Sequence, residues 1–331
     1  MAQVSIIITA FNCATYIDEA IASAVNQSDG DLEVIVIDDA STDGTLERAQ
    51  AAASRDLRIK VYPQPHGGKA SIARNAGLAL ARGEYICFLD GDDRYYPERV
   101  DLQRKFLDST PDAVAVFHDV DVIDETGAMT ESSLLQQYRL LEKAQSYLTQ
   151  ISADTYLCNP QFYIYMSLDH SSVYTSSIMV RRSLLEQHQL RFAEDVHMAE
   201  DIELWWAIAR GRTIGYIDRP LSSYRMHGTN TTKNIEILCR DSITVHQRNL
   251  ARCADALTPI QTRQYERKIA DGWFCLGYFC VCNGRADEGR RHYRTALRQS
   301  FERRFIVAYL KSLGPQALRR IWQRASGTPV G

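Results

Sequence analysis

Glu84-Tyr85-Ile86-Cys87-Phe88-Leu89-Asp90-Gly91-Asp92-Asp93 joins a short apolar run to an acidic, glycine-containing turn. With Gly83-Glu84 before it, the run reads as a buried strand that stops abruptly and presents carboxylates at its carboxyl end. Asp90 and Asp92 are two apart, so on an extended backbone they project to the same side. Gly91 between them lets the chain bend closely. Two hard oxygen ligands at a strand end suit Mg²⁺ or Mn²⁺ arriving with substrate phosphates, because such an ion needs only one or two protein carboxylates. Taken alone, the same residues also make an ordinary acidic turn.

Upstream of this stretch, strand and helix patterns alternate. Val4 to Thr9 is a β-branched apolar run, and Tyr16 to Val25 has helical spacing through Ile17, Ala20, Ile21 and Ala24. Leu32 to Ile37 reads as a second strand ending at Asp38-Asp39. Thr45 to Ser54 reads as a helix capped at Thr42 or Asp43. Ile59 to Tyr62 is a third, shorter strand, and Ser71 to Ala81 a helix ended by Gly83. Such alternation predicts an α/β fold with a mostly parallel central sheet flanked by helices. Ligands of such sheets bind beyond the carboxyl ends of the strands. Ala10-Phe11-Asn12, Asp38-Asp39 and Asp90-Gly91-Asp92 all fall on that rim. Neither GxGxxG after the first strand nor GxxxxGK[ST] is present, which disfavours dinucleotide-binding and P-loop chemistry.

The 331 residues carry a net charge of −3, with 45% hydrophobic and 24% charged residues, as in an ordinary globular protein. That balance argues against nucleic acid as a partner. The eight cysteines show no CxxC pair or zinc-like spacing, and a reducing cytoplasm is the simplest setting. No signal peptide or membrane span is expected.

Beyond the central stretch, Ala113 to Phe117 and Ser176 to Val180 read as strands. Leu134 to Thr149 reads as a helix within a long polar and aromatic insertion suited to acceptor recognition. Ser183 to Gln189 reads as a helix, and Ile214 to Ile217 as a last strand. The segment Ala199-Glu200-Asp201-Ile202-Glu203-Leu204-Trp205 opens an amphipathic helix, where the helix dipole alone would favour acidic residues. From about Asn234 the sequence becomes helical and Arg-rich, giving expected domains of 1–233 and 234–331. Within the second, Trp273, Leu276, Gly277, Gly289, Tyr293 and Ala296 have the spacing of one tetratricopeptide-like hairpin. Phe301 to Arg324 mixes basic and apolar residues at helical spacing. That suits either docking on an anionic membrane surface or packing on the preceding helices.

Five motifs in order give the chain a resemblance to glycosyltransferase family 2. They are Ser5-Ile6-Ile7-Ile8-Thr9-Ala10-Phe11-Asn12, Val36-Ile37-Asp38-Asp39-Ala40-Ser41-Thr42-Asp43-Gly44-Thr45, Ala73-Arg74-Asn75-Ala76-Gly77, Phe88-Leu89-Asp90-Gly91-Asp92-Asp93 and Glu200-Asp201-Ile202-Glu203-Leu204-Trp205. The resemblance implies a GT-A fold and an inverting, metal-dependent hexosyltransferase of surface polysaccharide biosynthesis. It implies a nucleotide-sugar donor, expected to be a UDP-sugar, and a glycan or lipid-linked acceptor. It implies that Asp39 bonds the base, that Thr9, Ala10 and Phe11 line the nucleoside pocket, and that Lys69 and Arg74 lie near base or phosphates. Asp90 and Gly91 would contact the donor, and Glu200 the sugar. Asp92, with His227 as a second candidate, would hold Mn²⁺ or Mg²⁺, and Asp201 would be the catalytic base. Arg74 has the alternative of a surface salt bridge, and His227 that of a structural histidine. The location implied is cytoplasmic, or peripheral at the inner membrane face. A GT-A scaffold without catalysis, binding a partner through the C-terminal helices, is the alternative function.

Overall fold

A computed structural model of the chain describes residues 3–228, 230 and 234–314. The chain divides into two compact units, residues 1–230 and 231–331. The first unit is built on β1 (Val4–Ala10), β2 (Leu32–Asp38), β3 (Ile59–Pro63), β4 (Tyr85–Asp90), β5 (Arg94–Tyr95) and β6 (Ala113–Ile123). It continues with β7 (Met129–Glu131), β8 (Leu148–Ser152), β9 (Thr155–Cys158), β10 (Met179–Arg181) and β11 (Thr213–Arg225). These form one sheet in the order β3-β2-β1-β4-β10-β6-β11-β9-β8, with β5 beside β11 and β7 beside β6. β3, β2, β1 and β4 are parallel, and β10 enters reversed between β4 and β6. The sheet is therefore mixed, parallel through β3-β2-β1-β4 and again between β6 and β11. β2 is buried at every residue, as a strand covered on both faces must be. The helices Ile17–Val25, Thr45–Ala53 and Ala70–Leu80 follow the first three strands in turn.

Several local expectations are corrected. The helix Thr45–Ala53 starts from Gly44 at φ 94°, and Asp43 acts from outside it, accepting from the amides of Thr45 and Ala14. Gly83 does not cap the preceding helix, which ends at Leu80. Its role is close approach, since a Cβ there would lie 2.6 Å from the backbone nitrogen of Ser5. The helix expected over 134–149 is replaced by the turns Leu134–Gln137 and Leu140–Lys143 and then the hairpin β8–β9. Ser133 and Arg139 have positive φ, and the buried Asp119 carboxylate accepts the amides of Leu135 and Gln136, fixing the turn against β6. A helix at Phe162–Leu168 went unread because nearly all of it is buried and no helical period shows. β6 and β11 are longer than their apolar runs, as buried His118, Asp119 and Asp121 find partners inside the sheet region.

The second unit contains the helices Ile235–Cys253, Pro259–Cys282, Ala286–Gln299 and Arg303–Ser312. Thr258 and Gln261 form a reciprocal cap with Pro259 at the first helical position. The second and third helices meet through two glycines: a Cβ on Gly289 would lie 2.6 Å from the Gly277 carbonyl, and one on Gly277 2.8 Å from the Tyr293 ring. The basic segment Phe301–Arg324 runs past the described residues. Its described part is a helix whose Phe305 is buried against Ala270 and Ala296 and whose Arg304 pairs with Asp271. No helix among the described residues is long and apolar enough to cross a membrane.

Candidate active site

Parallel registration brings three strand ends to one rim, because Ala10 pairs with Asp38 and Thr9 with Asp90. The chain leaves this rim through strained residues. Asn12 and Ala40, and Ala199 ahead of the helix Glu200–Ala209, all have φ near +50 to +63°. Left-handed non-glycine residues persist only where their surroundings hold them. Here Asn12 accepts from the Thr42 amide (2.8 Å), its own amide donates to Ser41 Oγ (3.0 Å), and Asp39 N donates to Ala10 O (2.9 Å).

At the β2 corner the buried Asp39 carboxylate accepts three hydrogen bonds and lies beside His66, whose Nδ1 is also 3.0 Å from the Asp39 main-chain oxygen. Gln64 Nε2 (2.8 Å) and Gly67 N (2.6 Å) donate to Oδ1, Gly68 N (3.1 Å) donates to Oδ2, and His66 Nδ1 stands 2.9 Å from Oδ2. Burial alone would raise this carboxyl, but the three donors and His66 together hold it below its ordinary value. The His66 ring also stacks on Phe11, with centroids 4.7 Å apart and planes 26° from parallel.

At the β4 corner Thr9 Oγ1 donates to Asp90 Oδ1 (3.1 Å). Gly91 N donates to Thr9 O, and a Cβ on Gly91 would lie 2.8 Å from Cys13 Sγ. The turn can therefore lie flat on β1 only with glycine at its centre. Arg74 is buried and bridges two carboxylates, Nη2 to Asp90 (2.8 Å) and Nη1 to Glu200 (2.6 Å). It is neither a surface ion pair nor turned outward to a phosphate. Asp201, next along, accepts from Thr175 Oγ1 (3.1 Å) and from the Ile202 amide (2.7 Å). Burial raises the Asp201 carboxyl against the pull of Arg74; burial and Asp201 together push Glu200 up to about 7.

Asp92 faces His227, with Oδ2 2.9 Å from Nε2. Burial and then the neighbouring Asp90 raise the Asp92 carboxyl, with His227 opposing. Asp93 is not a simple turn cap. It is buried, accepts from Ser176 Oγ (2.6 Å) and from the Arg225 amide (2.9 Å), and so ties β4 to β11. The buried Arg225 guanidinium donates to the Asp92 carbonyl (2.8 Å), pairs with Glu19 (2.5 Å) and lies over Tyr16. With Asp90 already paired to Arg74, the Asp92 carboxylate beside the His227 imidazole is the oxygen and nitrogen donor pair that would fit Mn²⁺ or Mg²⁺.

The structure thus brings Thr9, Ala10, Phe11, Asp39, Asp90, Gly91, Asp92, Glu200, Asp201 and His227 to one rim, with Arg74 as an internal strut. Lys69 reaches elsewhere, donating to the Glu194 carbonyl (2.5 Å). The residues sequence reasoning missed are Gln64, Thr175 and Arg225, while His66-Gly67-Gly68-Lys69 reads from sequence as a mobile loop over a diphosphate or a Gly-rich turn. Of the missed residues only Arg225 carried a signal, as a neighbour of His227.

The sequence pattern described as Glycosyl transferase family 2 matches residues 5–171. An uncharacterized glycosyltransferase of Haemophilus influenzae is 27% identical over 229 residues, which cover 69% of this chain and 67% of that protein. The chain matches only about a third of the length of several other curated relatives. Among solved structures, S. aureus TarS in complex with UDP-GlcNAc superposes with a TM-score of 0.60 at 18% identity. It covers 98% of this chain and 89% of its own. The mannosyltransferase PcManGT from Pyrobaculum calidifontis, in complex with GDP-Man and Mn²⁺, gives 0.55 at 16%, covering 99% and 88%. With that match across half its length and a GT-A-like sheet, the chain belongs to glycosyltransferase family 2.

Proposed function

We propose that this chain transfers a sugar, with inversion, from a nucleotide-sugar to a hydroxyl of a glycan or lipid-linked acceptor, and that a UDP-sugar is the preferred donor. The observation that carries the reading is the Arg74 bridge. One buried guanidinium ties Asp90, beside Asp92, to Glu200, beside Asp201, so the two acidic motifs share one site. TarS with UDP-GlcNAc and PcManGT with GDP-Man and Mn²⁺ lend support as proteins of the same fold.

Asp39 accepts the base N–H, with Phe11 beneath the ring. Asp92 and His227 would hold Mn²⁺ or Mg²⁺, which when bound offsets the charge of the leaving diphosphate. Asp201 takes the proton of the acceptor hydroxyl as its oxygen attacks the anomeric carbon. The new carbon–oxygen bond forms as the bond to the diphosphate breaks, and the electron pair leaves with the diphosphate. A carboxyl raised by burial suits that task, because its basicity is closer to that of the proton it must accept. Thr175 holds one Asp201 oxygen and the Ile202 amide the other, which fixes the carboxylate before substrate arrives.

Asp201→Asn tests this assignment. Turnover of the UDP-sugar is expected to fall by about 10² to 10⁴-fold, with UDP affinity in Mn²⁺ unchanged. Transfer equal to that of the wild type would remove Asp201 from the role.

A further inference from the structure

The corner given to the nucleobase already holds an aromatic heterocycle. His66 lays one face on Phe11, at 4.7 Å, and directs a ring nitrogen to Asp39, at 2.9 Å. The ring thus fills the stacking place on Phe11 and sets its nitrogen between the Asp39 main-chain oxygen, at 3.0 Å, and the carboxylate that a base N–H would use. Gln64, Gly67 and Gly68 take three of the roughly four acceptor directions of the Asp39 carboxylate, and the His66 ring stands across the approach to the fourth. The His66 ring is about half exposed, so leaving the slot requires no opening of the core. The segment that carries it is a short loop tied to Asp39 through Gln64, Gly67 and Gly68, so the exchange needs only the side chain of His66 to turn away. It runs from Pro63 at the end of β3 to the helix at Ala70, with Gly68 in the left-handed region.

We propose that His66 is an internal stand-in for the nucleobase, and that donor binding is an exchange in which the base displaces the imidazole from Phe11 and Asp39. The inference rests on the donor reading given above and deepens it. Exchange also makes His66 a specificity-determining residue. An incoming base must replace both contacts, so one with a ring N–H to offer Asp39, as in uracil or guanine, regains what is lost. Cytosine presents an unprotonated N3 and can donate only through its exocyclic amine, so it regains the stack but not the ring N–H contact. Affinity for any nucleotide is lowered by the fraction of molecules in which the slot is filled.

The test is calorimetric titration of UDP, GDP and CDP, each with Mn²⁺, into the full chain and into His66→Ala and His66→Phe. Emptying the slot is expected to tighten UDP several-fold in His66→Ala. His66→Phe keeps the stack and lacks the N–H, so it should fall between that variant and the wild type. CDP should bind the wild type more weakly than UDP and gain at least as much from His66→Ala. Unchanged or weaker UDP binding by His66→Ala, with the wild type binding normally, overturns the exchange and makes His66 part of the binding wall. Failure of every form to take up UDP, CDP or GDP removes the donor reading itself, and the exchange with it.

Discussion

Replacing Arg74 by methionine should destabilise the first unit, and more so as pH rises. Methionine keeps much of the apolar stem but removes the guanidinium that lies over Phe192 and the charge shared by Asp90 and Glu200. The Arg74 and Glu200 side chains are only 7% and 8% exposed, so the Glu200 carboxylate is left without water as well as without a partner. Breaking a buried pair in this way costs about 3–5 kcal/mol. In a unit of this size each kcal/mol moves Tm by about 2–4 °C, so a fall of about 6–20 °C is expected. Without Arg74, Glu200 rises further above its unfolded pKa and the native state then binds more protons than the unfolded one. Stability therefore falls with increasing pH across the neutral range, and the loss should be larger at pH 8 than at pH 6. Thermal melts of wild type, Arg74→Met and Arg74→Met/Glu200→Gln measure this, the double variant recovering part of the loss. A drop below about 1 kcal/mol with no pH dependence would refute the view that the bridge compensates buried charge.

The base role of Asp201 predicts that kcat/KM rises with pH through a value above the ordinary 3.8 of an aspartate, since only the ionised carboxylate accepts the proton. The acid limb should vanish from the residual activity of Asp201→Asn. Asp92→Asn should weaken Mn²⁺ binding at least tenfold, by titration followed in electron spin resonance, because losing even an outer partner costs about 10–100-fold. It should leave Tm unchanged or raised, as it relieves the repulsion from Asp90. In the second unit, Gly289→Ala should destabilise by about 1–3 kcal/mol from overpacking. Helix propensity alone would instead give a gain of about 1 kcal/mol. Gly30→Ala, with nothing within 4 Å of its Cβ, is the neutral control in the same denaturant titration.

The parallel half of the sheet was legible because its strands are continuous apolar runs and each stops at polar residues. The rim followed from that, and Asp39, Asp92 and Asp201 could be named from motif order. Arg74 shows where such reading ends. Its position in a helix gives no hint that Asp90 and Glu200, far apart in sequence, will close on it. The helix expected at 134–149 failed for a related reason: the amides of Leu135 and Gln136 are claimed by a carboxylate on β6, and periodicity sees only the segment itself. β6 and β11 were cut short because His118, Asp119 and Asp121 look like loop residues until Arg99, Tyr96 and backbone amides are found to satisfy them. Gly83 reads as a helix end yet is needed for nearness to β1, the same close approach that Gly91 makes.

Between Ile217 and Ser222, β11 advances five residues while β6 advances two, from His118 to Val120, the slips falling on either side of Pro220. Side chains on a strand alternate between faces, so an odd excess of three inverts which ones look toward the rim. That irregularity acts as a phase correction. Downstream of it Arg225 arrives with its guanidinium on the Asp92 carbonyl, and His227 with its imidazole on the Asp92 carboxylate. Deleting a single residue between 218 and 221 would preserve every motif in the sequence and yet turn the imidazole away from its carboxylate, so the spacing of this unremarked stretch is under as tight a constraint as the acidic residues themselves.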